Sequence, residues 1–275
     1  MALLAVDLDG TLLARSGKPH DLDVRALQAA RDAGITVTII TGRLFPGTNP
    51  TAQHIGLSTT LGCADGSHLV HTDGSTLAYT SLRGDELRSM HGALKTTRVS
   101  TFLLARDRVF HDESGVPFLD YVRTWSPDVH HADDVLEHDV WSHAEGITAI
   151  VGVSEEERIT TVVAAMRDQL SHAASVISFP LGKTGLHGFL ARTKVCDKGT
   201  ALLALAARAG VAKEKTVAIG DWLNDLPMFR AAGTSFCMGQ APGEVRDEAT
   251  HVLSETVERG GGVAAVVRDH FGVKF

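Results

Sequence analysis

The chain begins with a strand-length apolar run, Leu3–Val6, that leads directly into two aspartates, Asp7 and Asp9, and then Gly10. Alternate residues of an extended segment point to the same side, so the two carboxylates can converge on one chemical group. A buried strand that ends in an ordinary turn has no need of two acids, because an unpaired buried charge is costly. A solvated Asp-Gly turn is the competing interpretation. The pattern favours a functional site at the end of a buried strand.

The segments that follow predict a strand–helix–strand unit. Residues 21–33 space their apolar side chains at helical intervals and end before Gly34, a residue favoured after a helix C-terminus. Residues 35–40 form a continuous, largely β-branched run, which is typical of a strand covered on both faces. Parallel strands joined in this way have a right-handed crossover. Thr41 follows the second strand, at the sheet edge where open α/β sheets bind ligands.

The same alternation returns near the C-terminus after a less regular middle segment. We predict a doubly wound, Rossmann-like parallel α/β core formed by residues 1–83 and 191–275, with an α+β domain inserted over 84–190. The elements behind this prediction are a hairpin (68–71 with 76–79), strands over 100–104, 147–151, 175–179, 186–191 and 216–219, and helices over 155–170, over 200–209 and after the glycine run 260–262.

Composition and charge argue against several classes of partner. With 44% hydrophobic residues among 275, the chain can bury one large core or two modest ones. A net charge of −7 argues against a nucleic-acid partner, which needs a basic face. No apolar run reaches membrane-spanning length, and the N-terminus lacks a signal-peptide pattern. Three widely separated cysteines fit reduced thiols, and the histidines show no ligand spacing, so we expect a cytoplasmic protein.

Four segments in order resemble the four motifs of the haloacid dehalogenase superfamily: Asp7-Leu8-Asp9-Gly10-Thr11, Thr41-Gly42-Arg43, Lys198-Gly199 and Gly220-Asp221 with Asn224-Asp225. The insert between the second and third motifs resembles a type C2 cap. Weaker strings at 64–67, 238–241 and 262–264 resemble the Cof-type, class IIB sugar-phosphatase branch. The chain departs from that branch at Asp65 and Gln240, where asparagine is usual. The resemblance spans nearly the whole chain and implies a capped α/β phosphatase.

The resemblance assigns the acidic residues to phosphoryl transfer and to a metal. Catalysis of this reaction consists mainly of positioning and charge neutralisation. Asp7 would be the nucleophile that forms an aspartyl phosphate, and Asp9 the general acid and base. Mg²⁺, which prefers oxygen ligands, would be bound by the Asp7 side chain, the Asp9 backbone carbonyl and Asp221, with Asn224 and Asp225 holding the metal or its waters. A solvated helix start is the competing interpretation of Asp221 and Asp225.

The remaining motif residues are assigned to the phosphate by the same resemblance. Thr41 would donate hydrogen bonds to the phosphoryl oxygens, and Lys198 would neutralise charge on the nucleophile and the phosphate. Gly42, Arg43 and Asn224 complete the predicted phosphate site.

Three of these assignments have a structural alternative. Thr41 can cap the turn that follows its strand, and Arg43 can form an ion pair without contacting substrate. Lys198 can be an ordinary surface lysine that stands before a helix, in which case Lys194 or Lys183 would take its place.

The predicted activity is Mg²⁺-dependent hydrolysis of a small phosphate monoester, such as a sugar phosphate or a related metabolite. Asp9 favours hydrolysis because an acid there can protonate the leaving alkoxide and then activate water. A phosphomutase of the same superfamily and a non-catalytic phosphometabolite-binding protein are the alternatives. Trp222, inside the fourth motif, is expected to pack against the fold rather than to contact substrate. The sequence predicts neither the oligomeric state nor the identity of the substrate.

Overall fold

The computed structural model describes residues 1–143, 146–169, 174–181 and 185–275. Its contacts form two units: the first comprises Met1–Arg43, Thr48–Ala78 and Cys196–Phe275, and the second comprises Leu44–Gly47 and Tyr79–Val195. The short segment Leu44–Gly47 belongs to the second unit, where the Leu44 amide donates to the Trp125 carbonyl at 2.9 Å. The sequence pattern does not predict this assignment, and 84–190 stays the predicted extent of the inserted domain.

The strands in chain order are β1 (Leu3–Val6), β2 (Thr36–Ile39), β3 (Thr60–Cys63), β4 (His68–His71), β5 (Thr76–Tyr79), β6 (Ser100–Ala105), β7 (Arg108–His111), β8 (Val129–His131), β9 (Ala149–Glu155), β10 (Ala174–Pro180), β11 (Leu186–Thr193), β12 (Thr216–Gly220), β13 (Thr234–Cys237) and β14 (His251–Val252). The α-helices are α1 (Asp21–Asp32), α2 (Phe45–Ile55), α3 (Gly84–Thr97), α4 (Leu119–Val122), α5 (Glu156–Gln169), α6 (Lys198–Arg208), α7 (Leu226–Ala231), α8 (Gly243–Glu248) and α9 (Gly262–Asp269).

The first unit is built on a five-stranded parallel sheet with the strand order β14-β13-β12-β1-β2. β1 pairs with β12 on one side and β2 on the other, and all four of its residues are buried. Because side chains alternate across a strand, this burial means that both faces of the sheet are covered. Leu3 and Ala5 pack in the cluster that contains α6 residues, while α1 packs against α9. The predicted doubly wound α/β core is confirmed.

Local sequence explains how the segments that carry the motifs begin and end. α6 begins at Lys198, before the predicted start at Thr200, because the side chains of Asp197 and Thr200 each accept the other's backbone N–H at 2.8 Å. Gly10 follows β1 with a φ of +83°, and a Cβ at this position would collide with the Asp221 carboxylate. Both the turn and the close approach therefore require glycine at this position.

Several elements differ from the sequence predictions. Ile147 forms an isolated bridge with Leu82, so β9 begins later, at Ala149. The predicted end of the helix over 155–170 lies outside the described residues at Leu170. The sequence pattern does not predict α2, because Pro50 stands inside this helix and proline removes an interior hydrogen bond.

The second unit contains a six-stranded sheet with the order β10-β11-β9-β6-β7-β8. Its pairs are antiparallel except for β7 with β8. α3 packs against α5, and α5 packs on β9, β10 and β11. Buried side chains from these helices and strands, among them Met90, Leu103, Ile150 and Phe189, form its core. The α+β character predicted for the inserted domain is confirmed.

Two further sequence expectations concern the whole chain. Within the described residues, no helix combines the length and the apolar character that a membrane crossing requires. Within the part of the chain that the structure describes, Cys63, Cys196 and Cys237 form no disulfide bond.

Candidate active site

The centre of the site is a buried lysine between two aspartates. Lys198 Nζ donates to Asp7 Oδ1 at 2.6 Å and to Asp225 Oδ1 at 2.7 Å, and the residue is 1% exposed. Burial lowers the pKa of Lys198, but the neighbouring carboxylates of Asp225 and Asp7 outweigh burial and hold that pKa above its usual value. Lys198 is therefore a charged lysine inside the site rather than a surface lysine. Lys194 is exposed, and Lys183 lies outside the described residues.

Asp225 uses its second oxygen to hold the turn that follows β12. Its Oδ2 accepts the backbone N–H of Asp221 at 2.9 Å and that of Trp222 at 3.0 Å. Both oxygens of this carboxylate thus accept hydrogen bonds from the protein. Asp225 orients Lys198 on one side and the Asp221 loop on the other, and its complete burial excludes a solvated helix start.

Three carboxylates of the site are close enough to bind one metal ion. One ligand oxygen each from Asp7, Asp221 and Asp225 lies within 4.8 Å of the other two, and all three residues are buried. The ammonium of Lys198 balances only part of their negative charge, and buried charges are costly unless they are paired. Oxygen ligands together with surplus negative charge fit Mg²⁺.

Burial raises the proton affinity of two carboxylates, those of Asp7 and Asp221. It raises the pKa of Asp7 well above its usual value, against the opposing charge of Lys198 and with added repulsion from Asp225 and Asp221. It also raises the pKa of Asp221 to about 6, again with repulsion from Asp225. A bound cation lowers such pKa values because it stabilises the ionised carboxylates.

Asp9 faces Arg43 and is not one of the three clustered carboxylates. Arg43 Nε donates to Asp9 Oδ2 at 2.7 Å, and a second guanidinium nitrogen donates to Asp9 Oδ1, which makes a forked ion pair. The Asp9 side chain is 56% exposed, so water can reach it. The structural alternative for Arg43, an ion pair, is thus observed. The contact of the Asp9 backbone carbonyl with a metal stays a prediction.

Thr41 and Gly42 continue from β2 and pair with the loop that contains Asp65. The Asp65 N–H donates to the Thr41 carbonyl at 2.8 Å, and Thr41 Oγ1 accepts the Arg43 N–H at 3.2 Å, so the hydroxyl proton can be donated elsewhere. Asp65 has a left-handed backbone with φ +53°, which aspartate tolerates better than most residues. Its buried Oδ1 accepts a hydrogen bond from the Asn224 amide at 2.9 Å. The carboxylate that replaces the usual asparagine is therefore paired.

Two residues outside the predicted site hold Asp221. Thr11 Oγ1 donates to Asp221 Oδ1, and Gln240 Nε2 donates to Asp221 Oδ2, both at 3.3 Å. Gln240 also donates to the Gly10 carbonyl at 2.6 Å and accepts the Val257 N–H at 3.1 Å, which sets the orientation of its amide. Thr11 stands within the first motif and Gln240 at a departure from the branch pattern, so the sequence carries a signal for both. The contacts that these two residues make depend on packing and cannot be predicted from the sequence.

The expectation that Trp222 packs against the fold is wrong. The residue is 55% exposed, and its neighbour Leu223 is 40% exposed. The reason is local. The Trp222 backbone N–H donates a hydrogen bond to the buried Asp225 carboxylate, and the short 3-10 turn over Leu223–Asp225 leaves the indole exposed.

Comparison with known proteins gives relatives along almost the full length of the chain. The chain is 24% identical over 266 residues to a 5-amino-6-(5-phospho-D-ribitylamino)uracil phosphatase of Bacillus subtilis, covering 97% of this chain and 94% of the relative. It is 25% identical over 269 residues to a pyridoxal phosphate phosphatase of Escherichia coli, covering 92% and 93%. A solved structure of a HAD subclass IIB sugar phosphatase has the same fold, with a TM-score of 0.77 at 18% identity over 100% of both chains.

The family of the chain is shown by a sequence match along nearly its full length. A family model described as haloacid dehalogenase-like hydrolase matches residues 4–267, which include every motif residue of the site. The enzyme class implied by the motifs agrees with these relatives, which are named as phosphatases. The chain belongs, as a Cof-type hydrolase, to the haloacid dehalogenase-like hydrolase family.

Proposed function

We propose that this chain hydrolyses small phosphate monoesters in a Mg²⁺-dependent reaction that passes through an aspartyl phosphate on Asp7. The observation that carries the proposal is the Lys198 ammonium held between Asp7 and Asp225, beside a third buried carboxylate. A protein that only binds phosphate gains nothing from a buried aspartate cluster, because carboxylates repel the anion. A nucleophilic carboxylate paired with a lysine and accompanied by metal ligands explains the cluster.

In the first step Asp7 attacks phosphorus. Lys198 holds Asp7 Oδ1, and Oδ2 is the oxygen that forms the bond to phosphorus while the bond from phosphorus to the ester oxygen breaks. The leaving alkoxide takes a proton from the acid form of Asp9 and departs as an alcohol. The Thr41 hydroxyl and the Lys198 ammonium hold phosphoryl oxygens. When bound, Mg²⁺ reduces the repulsion between nucleophile and phosphate and orients the phosphoryl oxygens.

In the second step water replaces Asp7 on phosphorus. Asp9 accepts a proton from the attacking water, the bond between phosphorus and Asp7 breaks, and inorganic phosphate leaves. The Arg43 fork holds both carboxylate oxygens of Asp9 and so fixes the orientation of this side chain. We assign Arg43 the role of a positioning residue for Asp9 and not that of a direct phosphate ligand.

The substrate class is a small phosphorylated metabolite. The named relatives act on a phosphoribitylaminouracil and on pyridoxal phosphate, and the structural neighbour on sugar phosphates. We propose that residues 84–190 form the domain that selects among such compounds, as the resemblance to a C2 cap implies. A cytoplasmic location, where these metabolites are made, completes the proposal.

The test is the release of inorganic phosphate from a panel of phosphorylated metabolites, with Mg²⁺ and with excess chelator, and without any bisphosphorylated activator. We expect release only with Mg²⁺. Asp7→Asn, a nearly isosteric change, should abolish release. Asp73→Asn is the matched control, because Asp73 is an exposed aspartate of the β4–β5 turn, and it should keep full activity.

Four outcomes contradict the proposal. Full activity in excess chelator rules out the metal, and a tenth of the parent activity in Asp7→Asn rules out the covalent step. Phosphoryl transfer to a sugar that requires a bisphosphorylated activator identifies a phosphomutase instead. Tight binding of metabolites without turnover identifies a sensor.

A further inference from the structure

The three tryptophans of the chain differ in their surroundings. Trp141 stacks on His91 with ring centroids 4.1 Å apart and donates its indole N–H to the Val135 carbonyl at 3.0 Å. Trp125 packs edge-to-face on Tyr121. Within the described parts of the chain, the ring of Trp222 contacts no other aromatic ring, and its indole N–H has no acceptor. Fold stability therefore accounts for two of the three rings but not for Trp222.

The backbone beneath this exposed ring is held firmly. The Trp222 N–H donates to Asp225 Oδ2 at 3.0 Å, and Oδ1 of the same carboxylate accepts from Lys198, which also holds Asp7. One carboxylate and one lysine thus separate the Trp222 amide from the nucleophile. Asp221, the preceding residue, belongs to the clustered carboxylates. The exposed indole therefore belongs to a loop whose backbone is hydrogen-bonded to Asp225, a buried carboxylate of the site.

We propose that Trp222 is a stacking platform that makes this site prefer phosphate monoesters whose alcohol carries a planar, unsaturated ring close to the phosphate. The inference rests on the proposed function and adds a substrate class to it. A planar ring stacks on an indole face more favourably than a saturated ring of equal size, because the two flat faces match and their quadrupoles attract when offset. The free indole N–H offers a hydrogen bond to a polar ring substituent.

Benzyl phosphate and cyclohexylmethyl phosphate provide the matched test. Both release a primary alcohol, so general acid catalysis affects them alike, and they differ in the planarity of the ring. We expect the ratio of kcat/KM for benzyl over cyclohexylmethyl phosphate to fall roughly three- to tenfold in Trp222→Ala, in line with the worth of an aromatic pair. The change should lie in KM with kcat retained, because stacking binds substrate and transition state equally.

Two control variants separate stacking from damage to the loop. Trp222→Phe restores an aromatic face and should recover most of the ratio. Leu223→Ala removes a neighbouring exposed apolar side chain and should leave the ratio as in the parent. A Trp222→Ala protein that loses kcat on both substrates equally, with weaker Mg²⁺ binding, would give Trp222 a structural role and overturn the platform.

A binding measurement keeps the platform testable if the proposed function fails. In Asp7→Asn protein, p-nitrobenzyl phosphate should quench the tryptophan fluorescence, and Trp222→Phe should remove that quenching while Trp125 and Trp141 still emit. Failure of the parent to hydrolyse either ester counts against the proposed function alone. An unchanged ester ratio in Trp222→Ala, or quenching that survives in Trp222→Phe, overturns the platform.

Discussion

Replacement of Lys198 by methionine removes the charge that joins the nucleophile to the Asp221 loop. Methionine keeps much of the lysine's length but cannot donate to Asp7 and Asp225, which lie 2.6 and 2.7 Å from Nζ. Removal of one partner from a buried charge network leaves the others uncompensated, which costs about 3–5 kcal/mol. We expect the metal-free protein to lose this amount at pH 7.5. The loss should shrink as the pH falls, because the pKa of Asp7 is raised by burial and its carboxylate is neutralised by protonation.

Thermal unfolding measures the loss. For domains of this size about 1 kcal/mol corresponds to 2–4 °C, so Tm should fall by roughly 10 °C. Turnover should fall at least about 10²-fold, the cost of removing one group that stabilises a transition-state charge. Lys198→Arg keeps the charge on a broader, planar group and should recover part of the stability but not the activity. Lys194→Met, at an exposed lysine, is the control and should change neither quantity.

Each quantity can refute the reasoning separately. An unchanged Tm in Lys198→Met would mean that the three buried charges do not depend on one another. Turnover within tenfold of the parent would remove Lys198 from catalysis even if Tm falls. Equal losses in Lys198→Met and Lys194→Met would point to a nonspecific effect of losing a positive charge.

Three further predictions concern the acids of the site. Asp9→Asn should slow alkyl phosphates about 10²–10⁴-fold but slow the first-step cleavage of p-nitrophenyl phosphate much less, since nitrophenolate leaves without a proton; equal single-turnover losses would contradict the acid role. Asp65→Asn keeps an acceptor for Asn224 and removes a buried negative charge near Lys198, so inorganic phosphate should inhibit several-fold more strongly with kcat retained; unchanged inhibition would count against this. The pKa of Asp221 is about 6 in the folded protein and about 3.9 in the unfolded chain, so between these pH values the folded protein binds more protons. The contribution of Asp221 to the free energy of unfolding of the metal-free protein should therefore fall by up to about 3 kcal/mol as the pH rises from 4 to 6. Comparison of the pH dependence of urea unfolding with that of Asp221→Asn isolates this contribution, and identical profiles would contradict it.

The sequence predicts the position of the site because its strands are strongly patterned. β1 and β2 are short, apolar and buried, and polar residues follow each of them directly, so Asp7 and Thr41 could be assigned to the same sheet edge. The same reasoning placed Asp221 after β12. Parallel strands bring such residues together whatever the rest of the chain does.

The contacts of the site were less predictable because they depend on packing between distant segments. Lys198 meets Asp225 because α6 packs against α7, and no local pattern sets that distance. The sequence leaves two interpretations of Arg43 open, a phosphate-site residue and an ion-pair partner. The position of its side chain beside Asp9 is set by the fold and not by the local sequence. The prediction that Trp222 packs against the fold is wrong because it assumes that a large apolar residue in a motif is buried. Here a hydrogen bond from the Trp222 backbone holds the loop so that the ring points outward.

Some helices and strands are not predicted because their sequence patterns are short or interrupted. α2 contains Pro50, and β14 spans only His251–Val252, too short for any periodicity. α3 has a signal, since Leu87, Met90 and Leu94 recur at helical spacing, but polar residues dominate its remaining positions. These elements do not carry the motif residues, so their omission left the predicted site intact.

We propose that Asp7 carries the phosphoryl group during turnover. Rapid acid quench of protein that is turning over benzyl phosphate, followed by borohydride reduction, converts an aspartyl phosphate to homoserine. Peptide mass spectrometry should then find homoserine at position 7 and at no other aspartate, and none when substrate is omitted. Phosphate release with aspartate unmodified at position 7, or homoserine at a different aspartate, would contradict the account.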